Sequence, residues 1–346
     1  MKKAYTLAAM GTLSLVLIGA RAEAQKYTMT DLGGLGGACA CSVGYAINDA
    51  GQITGTSENA SSIQHAFLYS SGTMTDLGAA GQTSYGYSIN ASGQVTGSAD
   101  PLNGAQQEQA FLYANGVMSG LGTLPNGTFS VGYGINNKGE ITGYSGGSKQ
   151  SAAFYYTAGA MAGFGGPSSV GYAVNASGQI TGQYIDKAGY TRAFLYSGGK
   201  LTGLGSLGGL YSYGYAINTG GQITGYSSLA YSGSGPLLQH AFLYSNGKMT
   251  DLGTLAGGTF SAGYGINVRG TIVGTSNLSG TSTPHGFLYS AGLMTDLNSL
   301  VEGDPAAVGV TLEIGQAIND YGWIVANGNN GHAYLLEPIT SGSSSP

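Results

Sequence analysis

Three short words recur through the chain, each seven times, and no other feature limits the possible folds as tightly. The first is "GYAINDAGQITG" at 44, with counterparts at 86, 132, 171, 214 and 263 and a worn copy, "GQAINDYGWIVA", at 315. The second is "HAFLYS" at 65, echoed at 109, 152, 192, 240, 285 and 332. The third is "MTDLG" at 29, 74 and 249, with variants beginning at Met118, Met161, Leu201 and Met294. Copies of the first word start 39 to 52 residues apart. Self-similarity at such a period marks a solenoid, a propeller or another stacked array.

Each word alternates apolar with small or polar residues, as in Val43, Tyr45 and Ile47 against Gly44, Ala46 and Asn48, which is the period of a β-strand. "INDAGQITG" reads as two strands joined through an Asx turn, with Gly51 supplying positive φ. "AFLYSNGKMTDLG" reads as a second hairpin around Asn246-Gly247. One unit is therefore four short antiparallel strands: a (GYxIN), b (GQITG), c (HAFLY) and d (MTDLG). A lone sheet of this kind cannot bury either apolar face, so the units must stack on one another. Seven four-stranded units match a β-propeller. The ends of the chain are complementary: the last unit stops after strand c, while a spare strand d, Met29 to Gly33, follows the leader. The expected fold is thus all-β, a seven-bladed propeller of four-stranded antiparallel blades. Its ring is closed by the N-terminal strand completing the last blade, so that no edge is left unpaired. A single domain is expected over 25–338, with 339–346 as a flexible tail.

The opening "MKKAYTLAAMGTLSLVLIGARAEAQ" has Lys2 and Lys3, an apolar run and Ala22-Glu23-Ala24, the pattern of a secretory signal peptide over 1–24. Export to the periplasm or the extracellular space is expected, and no later stretch approaches the ~20 apolar residues of a membrane span. Without the leader the chain carries 8 basic and 15 acidic residues, a balance of −7. The few lysines are scattered, which argues against a nucleic-acid partner.

The combination of "GYxINxxGQITG" with "QHAFLYSSGTMTDLG" and "QHAFLYSNGKMTDLG" resembles the bacterial extracellular repeat proteins called the HAF family, after the His-Ala-Phe triplet. The resemblance covers about residues 27 to 336. It implies export and tandem repeats; it implies no agreed activity and carries no catalytic residue to this chain.

The residues that could carry chemistry fall mostly into the repeat. His65, His240, His285 and His332 share one repeat position, spread around a ring, so they read as strand starts and not as metal ligands. Asp31, Asp76, Asp251 and Asp296 share one place in strand d, where they can accept from backbone amides. Tyr45, Tyr87, Tyr133, Tyr172, Tyr215 and Tyr264 recur in strand a; they can stack sugars or bases, but their alternation favours packing between blades. Cys39 and Cys41 are the only cysteines. In an exported chain they read as a local disulfide in a small ring, with free thiols, an intermolecular link or a metal or redox role as alternatives. No zinc-binding pair or phosphate loop is present, and nothing calls for a cofactor or metal.

Binding residues concentrate in long loops on rigid scaffolds. The longest join b to c and d to a on one face: 98–109, 226–239 and 298–313. Glu302, Asp304 and Glu313 offer an acidic edge there and Tyr231 a stacking platform. The expected role is a non-enzymatic binding or scaffold module for a glycan or protein ligand. A polysaccharide hydrolase or lyase and a purely structural matrix component are the alternatives.

Overall fold

The computed structural model describes residues 25–340, except 79–82, 101–106, 148–149, 231–232, 234–236, 282, 304 and 306–308. The expected signal peptide, most of the expected tail, and the candidates Tyr231 and Asp304 lie outside the described residues. The described residues form 28 strands, β1 to β28 in chain order, arranged as seven four-stranded antiparallel sheets. Six sheets are built from consecutive strands, the first from Ser42–Ile47, Ile53–Glu58, Gln64–Ser70 and Thr73–Asp76. The seventh has the order β1-β28-β27-β26. In it Tyr27–Asp31 pairs with Ala333–Pro338, from Tyr27 opposite Pro338 to Asp31 opposite Tyr334. The chain is a seven-bladed β-propeller whose last blade takes its outermost strand from the amino-terminal end.

Local chemistry explains the turns. Six of the seven Asn that end strand a accept from two amides ahead, as Asn48 Oδ1 does from Ala50 N and Gln52 N at 3.1 and 2.9 Å, and Asn218 Oδ1 accepts from Gln222 N at 3.0 Å. The c-to-d turns use consecutive positive φ values, 52° and 78° at Asn246 and Gly247, which suit a two-residue hairpin loop.

The same asparagines tie the ring together. The Nδ2 of Asn48 donates to the carbonyl of Asn90, and the pattern continues through Asn136, Asn175, Asn218, Asn267 and Asn319. Asn319 then donates to Asn48, making seven bonds of 2.9 to 3.3 Å that close on themselves. All seven side chains are buried.

Between blades the core is a repeated sandwich. Phe67, Phe111, Phe154, Phe194, Phe242 and Phe287 of strand c are fully buried, with Tyr334 in the seventh blade. Each lies beside the Ile or Val that opens strand b, such as Phe154 with Ile141 and Phe111 with Val95. Burying one such side chain contributes roughly 1.5–3 kcal/mol. Gly143 shows why strand b has glycine opposite this Phe: a Cβ there would overlap the Val131 carbonyl and press on the Phe154 ring. Serines staple neighbouring blades, each taking the amide of the previous blade's strand c, as Ser84 Oγ takes Ala66 N at 2.9 Å. Where blade 7 meets blade 6, Glu313 stands in the serine's place and its carbonyl accepts from Thr275 Oγ1 at 2.8 Å.

Two outcomes follow from closure. Removing residues 25–36 deletes β1 with the buried Tyr27 and Leu32. The expected fall in melting temperature is on the order of 10 °C by calorimetry, and an unchanged value would show that β1 does not close the ring. Asn136→Ala removes one link of the asparagine ring and the Asx turn together, so chemical denaturation should register a loss of about 2–3 kcal/mol.

Candidate functional site

Every strand a carries a β-bulge at the same point. The pairing with strand b skips from Gly44 to Ala46, and likewise at 86/88, 132/134, 171/173, 214/216, 263/265 and 315/317. The skipped residues are Tyr45, Tyr87, Tyr133, Tyr172, Tyr215, Tyr264 and Gln316. A bulge re-aims a side chain out of the alternation of its strand. The six tyrosines therefore do not pack between blades as their alternation suggests; they line the central channel. Neighbouring rings stand 5.1 to 5.5 Å apart between centroids, forming a collar from blade 1 to blade 6. Gln316 completes the circle.

Below the collar comes a tier of small residues, Ala46 to Ala317, and then one of Ile and Val, from Ile47 to Ile318. The lining is uncharged and the space measures about 530 Å³, within the roughly 300–1,000 Å³ of small-molecule sites. Burial holds the phenols protonated: it pushes Tyr172 up to about 12, and raises Tyr133 and Tyr215 further with help from neighbouring tyrosines. The Tyr172 hydroxyl points back to strand b, donating to Gln183 Oε1 at 3.2 Å. Among the described residues, Glu108 is the carboxylate that bears on the collar, adding to the effect of burial on Tyr87, Tyr133 and Tyr144.

The loop candidates are placed apart. Glu302 is exposed and its amide donates to the Tyr27 carbonyl at 2.8 Å, beside the outermost strand of blade 7. Glu313 belongs to β26, Leu312–Ile318, the innermost strand of the same blade. Three strand spacings separate them, about 14 Å, so these two do not form one edge. Cys39 and Cys41 are joined, with Cα atoms 5.0 Å apart. Their loop adjoins the b-to-c turn of blade 7, where Ser42 N donates to the Gly331 carbonyl and Asn329 N to Thr311 on the other side.

The histidines have partners that repeat position alone did not reveal. His65, His240, His285 and His332 each face an aspartate, Asp76, Asp251, Asp296 and Asp31, with Nδ1 to carboxylate distances of 2.7 to 2.9 Å. Those aspartates also accept from the amide two residues on, as Asp76 does from Gly78 N at 2.7 Å. Units with Gln109, Ala152 or Arg192 in place of His have Gly120, Gly163 or Gly203 in place of Asp. This joint presence and absence was readable in the sequence. The pairs lock strand d onto strand c, and His332 with Asp31 does so across the closure.

No protein-family model matches the chain, and no curated protein matches it by sequence. Solved propellers match it in shape. Virginiamycin B lyase from Staphylococcus aureus, solved in a catalytically inactive form with quinupristin, is 12% identical with a TM-score of 0.54, over 91% of this chain and 100% of that one. The β-propeller domain of the Trilobed protease from Pyrococcus furiosus is 12% identical with a TM-score of 0.50, over 76% and 82%. That domain is described as having an open velcro topology, whereas here β1 closes the last blade. TolB from Acinetobacter baumannii is 10% identical with a TM-score of 0.46; the match takes in 83% of this chain and 63% of TolB. At these identities the likeness to the lyase and to the protease domain shows the fold alone.

The buried phenols give a pH dependence. Burial pushes Tyr27 and Tyr172 from 10.0 up to about 12, so between those values the folded chain keeps protons that the unfolded chain releases. Their contribution is complete below pH 10 and is lost as pH rises towards 12. Melting temperature should hold steady up to pH 9.5 and then fall, with phenolate absorbance lagging that of free tyrosine. Full phenolate absorbance at pH 10.5 with the fold intact would contradict this.

Proposed function

We propose that the protein is an exported, non-catalytic binding module that takes a glycan or protein ligand at the tyrosine-lined mouth of its central channel. The observation that carries this is the set of bulges: blade packing needs no large side chain in the channel, yet six units present a tyrosine there. Aromatic walls with few polar groups are the usual lining of ligand sites. Export follows from the leader and from the resemblance to the HAF family. A hydrolase acting on polysaccharide would need two carboxylates converging on the ligand, and Glu108 stands alone at the collar among the described residues. The channel replaces the loop edge as the favoured site because Glu302 and Glu313 lie on opposite sides of one blade.

Binding of the secreted chain to a glycan array and to a panel of cell-envelope proteins tests the reading. Tyr133→Ala combined with Tyr215→Ala should weaken the interaction by about tenfold or more, with circular dichroism unchanged. Glu302→Ala combined with Glu313→Ala should leave it intact. The opposite pattern would move the site to the loops.

A further inference from the structure

The collar is the same in six blades, but what stands above it is not. Tyr85, Phe129 and Tyr144 occupy positions where blade 1 has Val43, Cys41 and Thr56, so the repeat does not require them. Tyr85 lies parallel to Tyr87, with centroids 6.0 Å apart and planes 5° apart. Tyr144 lies parallel to Tyr133 at 5.9 Å and 11°. Phe129 meets Tyr144 edge-on at 5.6 Å and 71°. Tyr87 and Tyr133, 5.1 Å apart, join the two pairs. The five rings make one half-buried wall that climbs from the channel across blades 2 and 3.

Glu108 stands at its rim. Its carbonyl accepts from Ser130 N at 3.1 Å, which sets it beside Phe129, and its side chain is half-exposed. Blades 5 and 6 carry a second wall, Tyr213, Tyr215, Tyr226 and Phe260. An extended aromatic wall with a single acceptor suits a pyranose: its C–H faces lie against rings while its hydroxyls donate to the carboxylate. A cation would instead call for ring faces converging on one point, and parallel pairs form a surface, not a cage. A uronic acid would bring its own negative charge against Glu108.

Resting on the channel as the binding site, we propose that the blade 2–3 wall of Tyr85, Tyr87, Phe129, Tyr133 and Tyr144, with Glu108, binds a neutral sugar chain. The chain end enters the collar and the following units lie along the wall.

Calorimetric titration of the secreted chain with neutral gluco-, manno- and galacto-oligosaccharides, from di- to hexasaccharide, tests this beside uronic-acid oligomers and tetramethylammonium. Neutral chains should bind, tighter as they lengthen, and uronic oligomers about tenfold more weakly or not at all. Tyr144→Ala should cost a hexasaccharide about tenfold and a disaccharide little, while Tyr144→Phe stays within about threefold. Glu108→Gln should weaken neutral chains and narrow the gap to the uronic oligomers. Uronic oligomers or tetramethylammonium binding as tightly as neutral chains would overturn the sugar assignment. So would Tyr144→Ala binding normally while Tyr215→Ala does not, which would leave the channel reading standing. If no sugar binds but a protein ligand is lost with the collar variants, the sugar falls and the channel remains; if collar variants alter no interaction, both fall.

Discussion

The ring of seven asparagine bonds is the constraint on which the rest depends. Each side chain satisfies one or two amides of its own turn with its oxygen and a carbonyl of the next blade with its nitrogen, so local turn geometry and global curvature are set by one residue. A buried amide with an unmet partner costs about 1–3 kcal/mol, and a ring has no terminal member to absorb a mismatch. Seven blades satisfy it because the last asparagine, Asn319, finds Asn48 at 3.1 Å.

The seam is reinforced in several chemically different ways. Backbone pairing joins β1 to β28, the His332 to Asp31 pair crosses it at 2.7 Å, and Asn327 exchanges bonds with the backbone of Gly44 in blade 1. The seventh unit departs from the repeat most, with Gln316 where the other six carry Tyr and Trp323 where they carry Gln, Glu or Thr. Its divergence coincides with the junction that must accommodate a strand from elsewhere in the chain.

Architecture was legible because it is written in periodic positions and in the complementary ends. The site was legible only in part. Strict alternation assigned the tyrosines to the packing between blades, since nothing in "GYAIN" announces that one residue will be extruded from the ladder. The histidine and aspartate pairs could have been found from their shared presence and absence. Glu108 and Tyr144 could not, because their importance lies in proximity between blades that no single-chain pattern records. Long loops drew attention to Glu302 and Glu313, yet radial position within a blade separates residues that are near in sequence.

The seam also governs the order of assembly. Asp31 and His332 lie 301 residues apart in the chain, so the earliest strand to be made must wait for the latest. Bringing such distant ends together is slow, and the reward comes only on contact. Until then blade 7 presents a raw edge and blade 1 lacks its neighbour. An unclosed ring therefore leaves backbone donors and acceptors bare along blade 7 and an apolar face bare on blade 1, and docking of the amino-terminal strand is the step that removes both.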